Sequence, residues 1–206
     1  MKIVREGYPF ILTPLILGIA FMLLGVKFGV IFNVLGIIFV LAALFCIYFF
    51  RDPKIEITQG NNLILSPCNG TVLEVSENNT EKVIRVFLSV LDVHLQRSPI
   101  SGKVLSVEYK PGKFLKAMEP EAHLVNEQNI ITIQNENGIY LVKQIAGILA
   151  RRCVAWVKPG DILKTGDKIG VIKFSSQVDL HTPKNCEIQV KTGDKVVSGI
   201  TILAKI

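Results

Sequence analysis

The chain has 206 residues, half of them hydrophobic, and a formal charge of +6, which leaves room for one globular domain and something more. No basic run is interleaved with aromatics and no nucleic-acid motif is present, so the reading is no nucleic-acid partner. Attraction to an anionic lipid surface accounts for the charge. Cys46, Cys68, Cys153 and Cys186 show neither CxxC spacing nor nearby ligand clusters. The expectation is reduced thiols in a cytoplasmic compartment, with neither a disulfide nor a metal.

Apolar residues crowd the start of the chain. Residues 10–26 carry no charge, residues 28–50 have Asn33 as their one strongly polar side chain, and Lys27 divides the two runs. At about 1.5 Å per helical residue the runs reach roughly 26 and 35 Å, against a bilayer core of about 30 Å. Two spanning helices joined by a tight turn over 25–29 fit these lengths, as do a shallow hairpin or one long helix with an interfacial arm. Two successive apolar blocks without a small-residue cleavage site argue against a removed signal peptide. Lys2 and Arg5 precede the block and Arg51 and Lys54 follow it, which suits a hairpin with both ends on the cytoplasmic side of the cell membrane. The expectation is a membrane-associated hydrophobic hairpin over residues 1–50 and a second domain over residues 51–206.

That second domain reads as strands throughout, over 62–65, 70–75, 83–88, 102–109, 129–134, 140–145, 153–157, 168–174, 187–190 and 195–204. Gly, Pro, Asn and Asp separate them, and Glu136-Asn137-Gly138 has hairpin-turn chemistry. Short helices are expected between Ser89 and Leu95 and around 144–152. The class is mainly β, a sandwich or barrel-sandwich hybrid behind an N-terminal α-helical membrane segment. SPCNGTVLEV and VKPGDILKTGDKIGVI share a turn-and-strand pattern with lipoyl and biotin carrier domains. That likeness concerns fold alone, and the Met-Lys-Met tip that biotin requires is missing.

After the apolar run of residues 170–174 come two hydroxyls, Ser175-Ser176. Paired serines in a strand are ordinarily solvent-facing or mark a bulge. The alternative is a self-processing serine that attacks the carbonyl of the residue before it, left accessible by a small neighbour. The surroundings decide between them. VKQIAGILARRCVAWVKPGDILKTGDKIGVIKFSSQVDLHTP (142–183) closely resembles the C-terminal part of the short, membrane-attached phosphatidylserine decarboxylases, pyruvoyl enzymes made by self-cleavage of a proenzyme. REGYPF (5–10), FFRDP (49–53), SPCNG (66–70), FLSVLDVHLQRSPISGKV (87–104), PGKFLKA (111–117) and NEQN (126–129) extend the resemblance, in order, over nearly the whole chain.

The resemblance implies cleavage between Ser175 and Ser176, giving a heterodimer of a β chain, residues 1–175, and an α chain, residues 176–206. Ser176 would become the covalent pyruvoyl cofactor, which forms a Schiff base with the amine of phosphatidylserine and accepts electrons as CO₂ leaves. Residues 51–206 are then the decarboxylase domain of a membrane-bound lyase. His94, in LDVHLQRSP, matches the family's histidine motif and is the leading acid/base. Arg97, Arg151, Arg152 and Lys173 are candidates for the lipid phosphate or the serine carboxylate, with solvated surface charge as their alternative. His123 reads as a surface residue, and His181 as a marginal one for the pocket.

This chain departs from the family twice. Ser175 stands where the cleavage motif has glycine, and Asn69 stands where the SPADG motif has the aspartate that supports the histidine. Asn69 can orient an imidazole without stabilising its charged form, a difference of roughly 1–3 units of pKa for a buried pair. Asp92, two residues from His94, offers a substitute carboxylate, whereas Asp179 falls on the face opposite Ser176. The substitution at position 69 keeps a second reading open: an unprocessed, non-catalytic homologue acting as a membrane-tethered lipid-binding module.

Overall fold

The structure is a computed structural model and describes residues 2–115, 119, 121–147, 152–173 and 176–206, with Ser176 described by its backbone. The chain divides into two compact units that meet between Lys54 and Ile55. In the first unit, β1 (Lys2–Ile3) and β2 (Arg51–Asp52) pair antiparallel at the two ends of a helical hairpin, α1 (Tyr8–Phe28) and α2 (Val30–Phe49). The hairpin turn narrows to Gly29, whose φ of +99° favours a residue without a Cβ. Small residues let the helices approach: a Cβ on Gly18 would lie 3.1 Å from the Gly36 carbonyl. Asn33 faces α1, its amide filling the space where Gly25 lacks a side chain. Both helices are long and apolar enough to cross a membrane.

The second unit opens with β3 (Leu63–Leu65), β4 (Gly70–Glu77), β5 (Glu81–Leu88), β6 (Leu95–Arg97) and β7 (Gly102–Lys110). A one-turn helix α3 (Ala122–Val125) precedes β8 (Gln128–Asn135) and β9 (Gly138–Ala146). Then come β10 (Arg152–Ala155), β11 (Ile162–Leu163), β12 (Lys168–Lys173), β13 (Ser176–Pro183), β14 (Glu187–Ile188), β15 (Lys195–Val196) and β16 (Ile202–Lys205). Eight of them form one sheet in the order β11-β7-β8-β9-β13-β5-β4-β15, and β10-β12-β6 and β14-β16-β3 form two smaller sheets. The mainly β architecture expected from the sequence is the one the chain adopts.

Alternation puts one face of the large sheet in the core. Ile131 and Ile133 of β8, Val142 and Ala146 of β9, Val178 and Leu180 of β13, and Ile84, Val86 and Leu88 of β5 form one apolar cluster. Ile64, Ile169, Ile172 and Leu203 from the smaller sheets join the same cluster. Within this arrangement β13 is interior. All eight of its residues register with β5, and residues 176–181 also register with β9. All four cysteines are free and buried.

Several local expectations are corrected. Residues 89–92 form a turn and 93–95 lead into β6, with no helix, because the Asp92 carboxylate accepts the Ser89 N–H at 2.8 Å while the Asp92 N–H donates to the Ser89 carbonyl at 2.9 Å. Gln144–Ala146, expected to begin a helix, complete strand β9, with the Gln144 amide turned inward. The single strand expected over 195–204 is two, β15 and β16, separated by a turn at Gly199 with φ +69°. The strands expected over 62–65, 70–75, 83–88, 102–109, 129–134 and 140–145 are present with small changes at their ends, as is the hairpin turn before Gly138.

Because Leu180 is fully buried in an interior strand, Leu180→Ala should cost about 2–5 kcal/mol and lower the thermal midpoint by at least about 4 °C. Leu105→Ala, at a residue 40% exposed, should shift it by no more than about 2 °C. Differential scanning fluorimetry in detergent measures both.

Candidate active site

Between Lys173 and Ser176 the chain leaves a three-stranded sheet and enters the eight-stranded one. His94 lies beside the end of the strand it leaves. The Ile172 N–H donates to the His94 carbonyl at 3.1 Å, four residues before Ser176. His94 is 1% exposed, and its Nδ1 is 3.0 Å from the Asp92 carbonyl. A carbonyl only accepts, so Nδ1 carries the proton of the neutral ring and Nε2 carries the lone pair. Asp92 thus orients the imidazole through its backbone, while its carboxylate closes the preceding turn.

A run of buried amides carries this position into the large sheet. Gln96 Nε2 donates to the His94 carbonyl at 2.6 Å, Gln144 Nε2 donates to Gln96 Oε1 at 2.8 Å, and Asn129 Nδ2 donates to Gln144 Oε1 at 3.2 Å. Asn126 secures the neighbouring edge, donating to the carbonyls of Ala146 at 2.7 Å and Leu115 at 2.9 Å and accepting the Leu115 N–H at 2.8 Å. Ala146 is the cross-strand partner of Ser176. Buried amides satisfied in this way fix geometry, since an unpaired one would be costly. The sequence reading gave Asn126, Asn129, Gln96 and Gln144 no role. The available signal was an amide at the inward-facing period of an apolar strand, as in Val142-Lys143-Gln144-Ile145.

The other candidates separate. Asn69 Oδ1 accepts the Ser198 N–H at 3.1 Å. Arg97 is buried, and its Nη1 donates to the Gly166 carbonyl at 3.0 Å, tying β6 to the turn before β12. Arg152 is exposed and registers opposite Lys173, which is half-buried. Ser175 and Arg151 lie outside the described residues. His123 is half-buried on α3. Among the described residues, no group of three or more His, Cys, Asp or Glu is disposed to hold a metal ion.

The second face of β13 carries charge. Asp179 is buried, accepts from Gln177 Nε2, and lies 3.4 Å from Arg85 Nε, while Arg85 Nη1 also pairs with Glu74. His181 Nδ1 lies 2.9 Å from Glu81. Burial raises the Asp179 carboxyl above its ordinary value, opposed by the Gln177 hydrogen bond and the Arg85 charge. Burial, then the Lys143 charge, lowers His181, opposed by Glu81.

Among the described residues, two of this unit's cavities stand out. The larger, about 710 Å³, is lined by polar loops that include Glu136 and Asn137. These sit at the β8–β9 turn, eight residues along β9 from Ala146 and so roughly 27 Å from the Ser176 end. The smaller, about 550 Å³, is lined by Tyr109, Phe114, Glu127, Arg152 and Cys153. One of its lining residues is tied to the start of β13 through the backbone: the Ala146 N–H donates to the Glu127 carbonyl at 2.8 Å, and Ala146 pairs with Ser176.

An interior strand that begins at a serine, with a buried imidazole beside the strand before it, is the frame on which comparison with known proteins bears. The phosphatidylserine decarboxylase family model matches residues 42–204, and the chain belongs to that family of carboxy-lyases. Among curated relatives it is 43% identical to the phosphatidylserine decarboxylase proenzyme of Carboxydothermus hydrogenoformans, over 79% of this chain and 80% of that one. It is 38% identical to the proenzyme of Geotalea uraniireducens over 98% of this chain and 95% of that one. With the proenzyme of Desulfotalea psychrophila the identity is 35%, over 100% and 97%.

The Asp179 shift has a stability consequence of definite sign. With its carboxyl raised, the folded chain holds a proton that the unfolded chain releases near pH 4, so this group's contribution falls as pH rises from about 4 towards neutrality. Unfolding measured against Asp179→Asn between pH 4 and 7 should show the parent losing ground as pH rises. A pH-independent difference would contradict the burial argument.

Proposed function

We propose that this chain is a membrane-attached proenzyme that cleaves itself between Ser175 and Ser176 and then decarboxylates phosphatidylserine to phosphatidylethanolamine. The observation that carries the reading is the placement of Ser176 at the head of an interior strand, four residues after the Ile172 that is hydrogen-bonded to His94. In the cleavage step the Ser176 oxygen attacks the Ser175 carbonyl carbon, its proton passes to His94 Nε2, and the peptide C–N bond gives way to an ester. β-Elimination breaks that ester, releasing the Ser175 carboxylate, and hydrolysis of the resulting dehydroalanine liberates ammonia.

A pyruvoyl group at position 176 would supply the electrophilic carbonyl and electron sink that decarboxylation of an amine-bearing substrate needs. The residues present fit such a group: it would stand where β13 begins, beside a cavity with aromatic, acidic and basic walls. His94, oriented by the Asp92 carbonyl, returns a proton to the carbon that loses CO₂. Arg152 and Lys173, facing each other across β10 and β12, supply positive charge for the phosphate or carboxylate. Arg97 contributes through its bond to Gly166, holding β6 and with it His94. The apolar hairpin anchors the chain, and Lys2, Arg5, Arg51 and Lys54 at its base set both ends on the cytoplasmic side.

Asn69 favours the alternative of an unprocessed lipid-binding homologue, and it also offers a test. An aspartate can accept the Ser198 N–H as the amide oxygen does, so Asn69→Asp should leave the thermal midpoint within about 2 °C of the parent. It should speed appearance of the two-chain form if a carboxylate stabilises the imidazolium. For the main reading, purified protein given phosphatidylserine in mixed micelles should release CO₂ and form the ethanolamine lipid, whereas Ser176→Ala should remain one chain and do neither. A fully active Ser176→Ala protein would sink the proposal.

A further inference from the structure

The cavity lined by Glu127 and Arg152 has a charge pattern that the cleavage chemistry does not use. Glu127 is 7% exposed, and its carboxylate accepts the Tyr109 hydroxyl at 3.2 Å. Its backbone is two strand spacings from that of Ser176, roughly 10 Å, with only the methyl of Ala146 on the strand between them. Tyr109 and Phe114 line the same cavity with aromatic surface, 57% and 39% exposed. Arg152 lines the same cavity from β10, where it registers opposite Lys173, three residues before Ser176. Burial and the Glu127 charge push the Cys153 thiol well above its ordinary range, so Cys153 adds no charge to the wall.

An acid set among aromatic faces is suited to an ammonium group, and a guanidinium is suited to a phosphate diester. A molecule carrying both, close together, complements the cavity better than a simple anion does. We propose that the pocket formed by Tyr109, Phe114, Glu127 and Arg152 docks the amino-phosphodiester headgroup of the substrate, with Arg152 taking the phosphate and Glu127 the ammonium before the amine reaches position 176. The proposal rests on the decarboxylase reading above and deepens it, since it makes Glu127 the residue that selects amine-bearing lipids. A headgroup of the same phosphate charge that ends in an alcohol meets an uncompensated carboxylate and is disfavoured. Tyr109 acts as a positioning residue that fixes the carboxylate.

The test uses full-length protein in detergent micelles with Ser176→Ala as the parent, so that binding does not depend on a pyruvoyl group. Calorimetric titrations compare glycerophosphoserine, the headgroup of the substrate, with glycerophosphoglycerol. The parent should bind the first more tightly. Glu127→Gln should weaken it by at least about tenfold while leaving glycerophosphoglycerol unchanged or improved. Arg152→Gln, at an exposed position, should weaken both ligands, and Tyr109→Phe should keep the preference but reduce it.

Thermal midpoints show whether each variant is folded, and if Glu127→Gln is not, the Arg152 and Tyr109 variants still decide. Absence of saturable binding by the parent, equal affinity for the two ligands, or a preference untouched by folded Glu127→Gln would overturn the proposal. Failure of the decarboxylase reading looks different: the unmodified chain would stay uncut and inactive while the ligand preference and its loss in the variants persisted.

Discussion

The two-sided pairing of β13 is the constraint on which the rest depends. A strand hydrogen-bonded along eight residues to β5 and along six to β9 is held by its neighbours and not by its covalent attachment to the preceding residue. Val178 and Leu180 add side chains fully removed from water, worth about 1.5–3 kcal/mol each. Downstream, β15 pairs with β4 and β16 with β3. A break ahead of Ser176 would therefore leave a segment of 206 − 175 = 31 residues laced into three strands of the larger piece besides β9. The fold can lose that peptide bond without losing its core.

The same pairing fixes what surrounds the start of the strand. Registering Ser176 with Ala146 brings in Asn126 and Glu127, which bond to the backbone of Ala146. The antiparallel contact of β12 with β6 brings in His94, and the amides of Gln96, Gln144 and Asn129 join the two arrangements into one. The positions of His94, of Ser176 and of the cavity are thus consequences of register. They come from segments far apart in sequence, which is why the motifs at 87–104, 111–117, 126–129 and 142–183 had to be read together.

Much of this was legible in the sequence because alternation and turn chemistry are local. The strands of β4, β5, β7, β8 and β9 follow from Val and Ile at period two, and the turn before Gly138 from Asn and Gly. The missed pieces have nonlocal causes. Ser175-Ser176 interrupts an apolar run, so the expected strand stops at residue 174 and none is assigned over 176–183, although Val178 and Leu180 alternate with Gln177, Asp179 and His181 as an interior strand should. The turn at Ser89–Asp92 depends on one carboxylate finding one amide. Asp92 seemed a substitute ion-pair partner from its spacing, and only the structure reveals that its carbonyl, not its carboxylate, meets the imidazole. Glu127 had no local signal beyond its place in Asn-Glu-Gln-Asn.

An intact mass spectrum of the purified, denatured protein bears most directly on the central claim that the chain opens at the head of its interior strand. The account predicts two species, of 175 and 31 residues, the smaller lacking a free amino terminus because position 176 has become a pyruvoyl group. A single uncut chain of 22.8 kDa, unchanged on incubation, would contradict it.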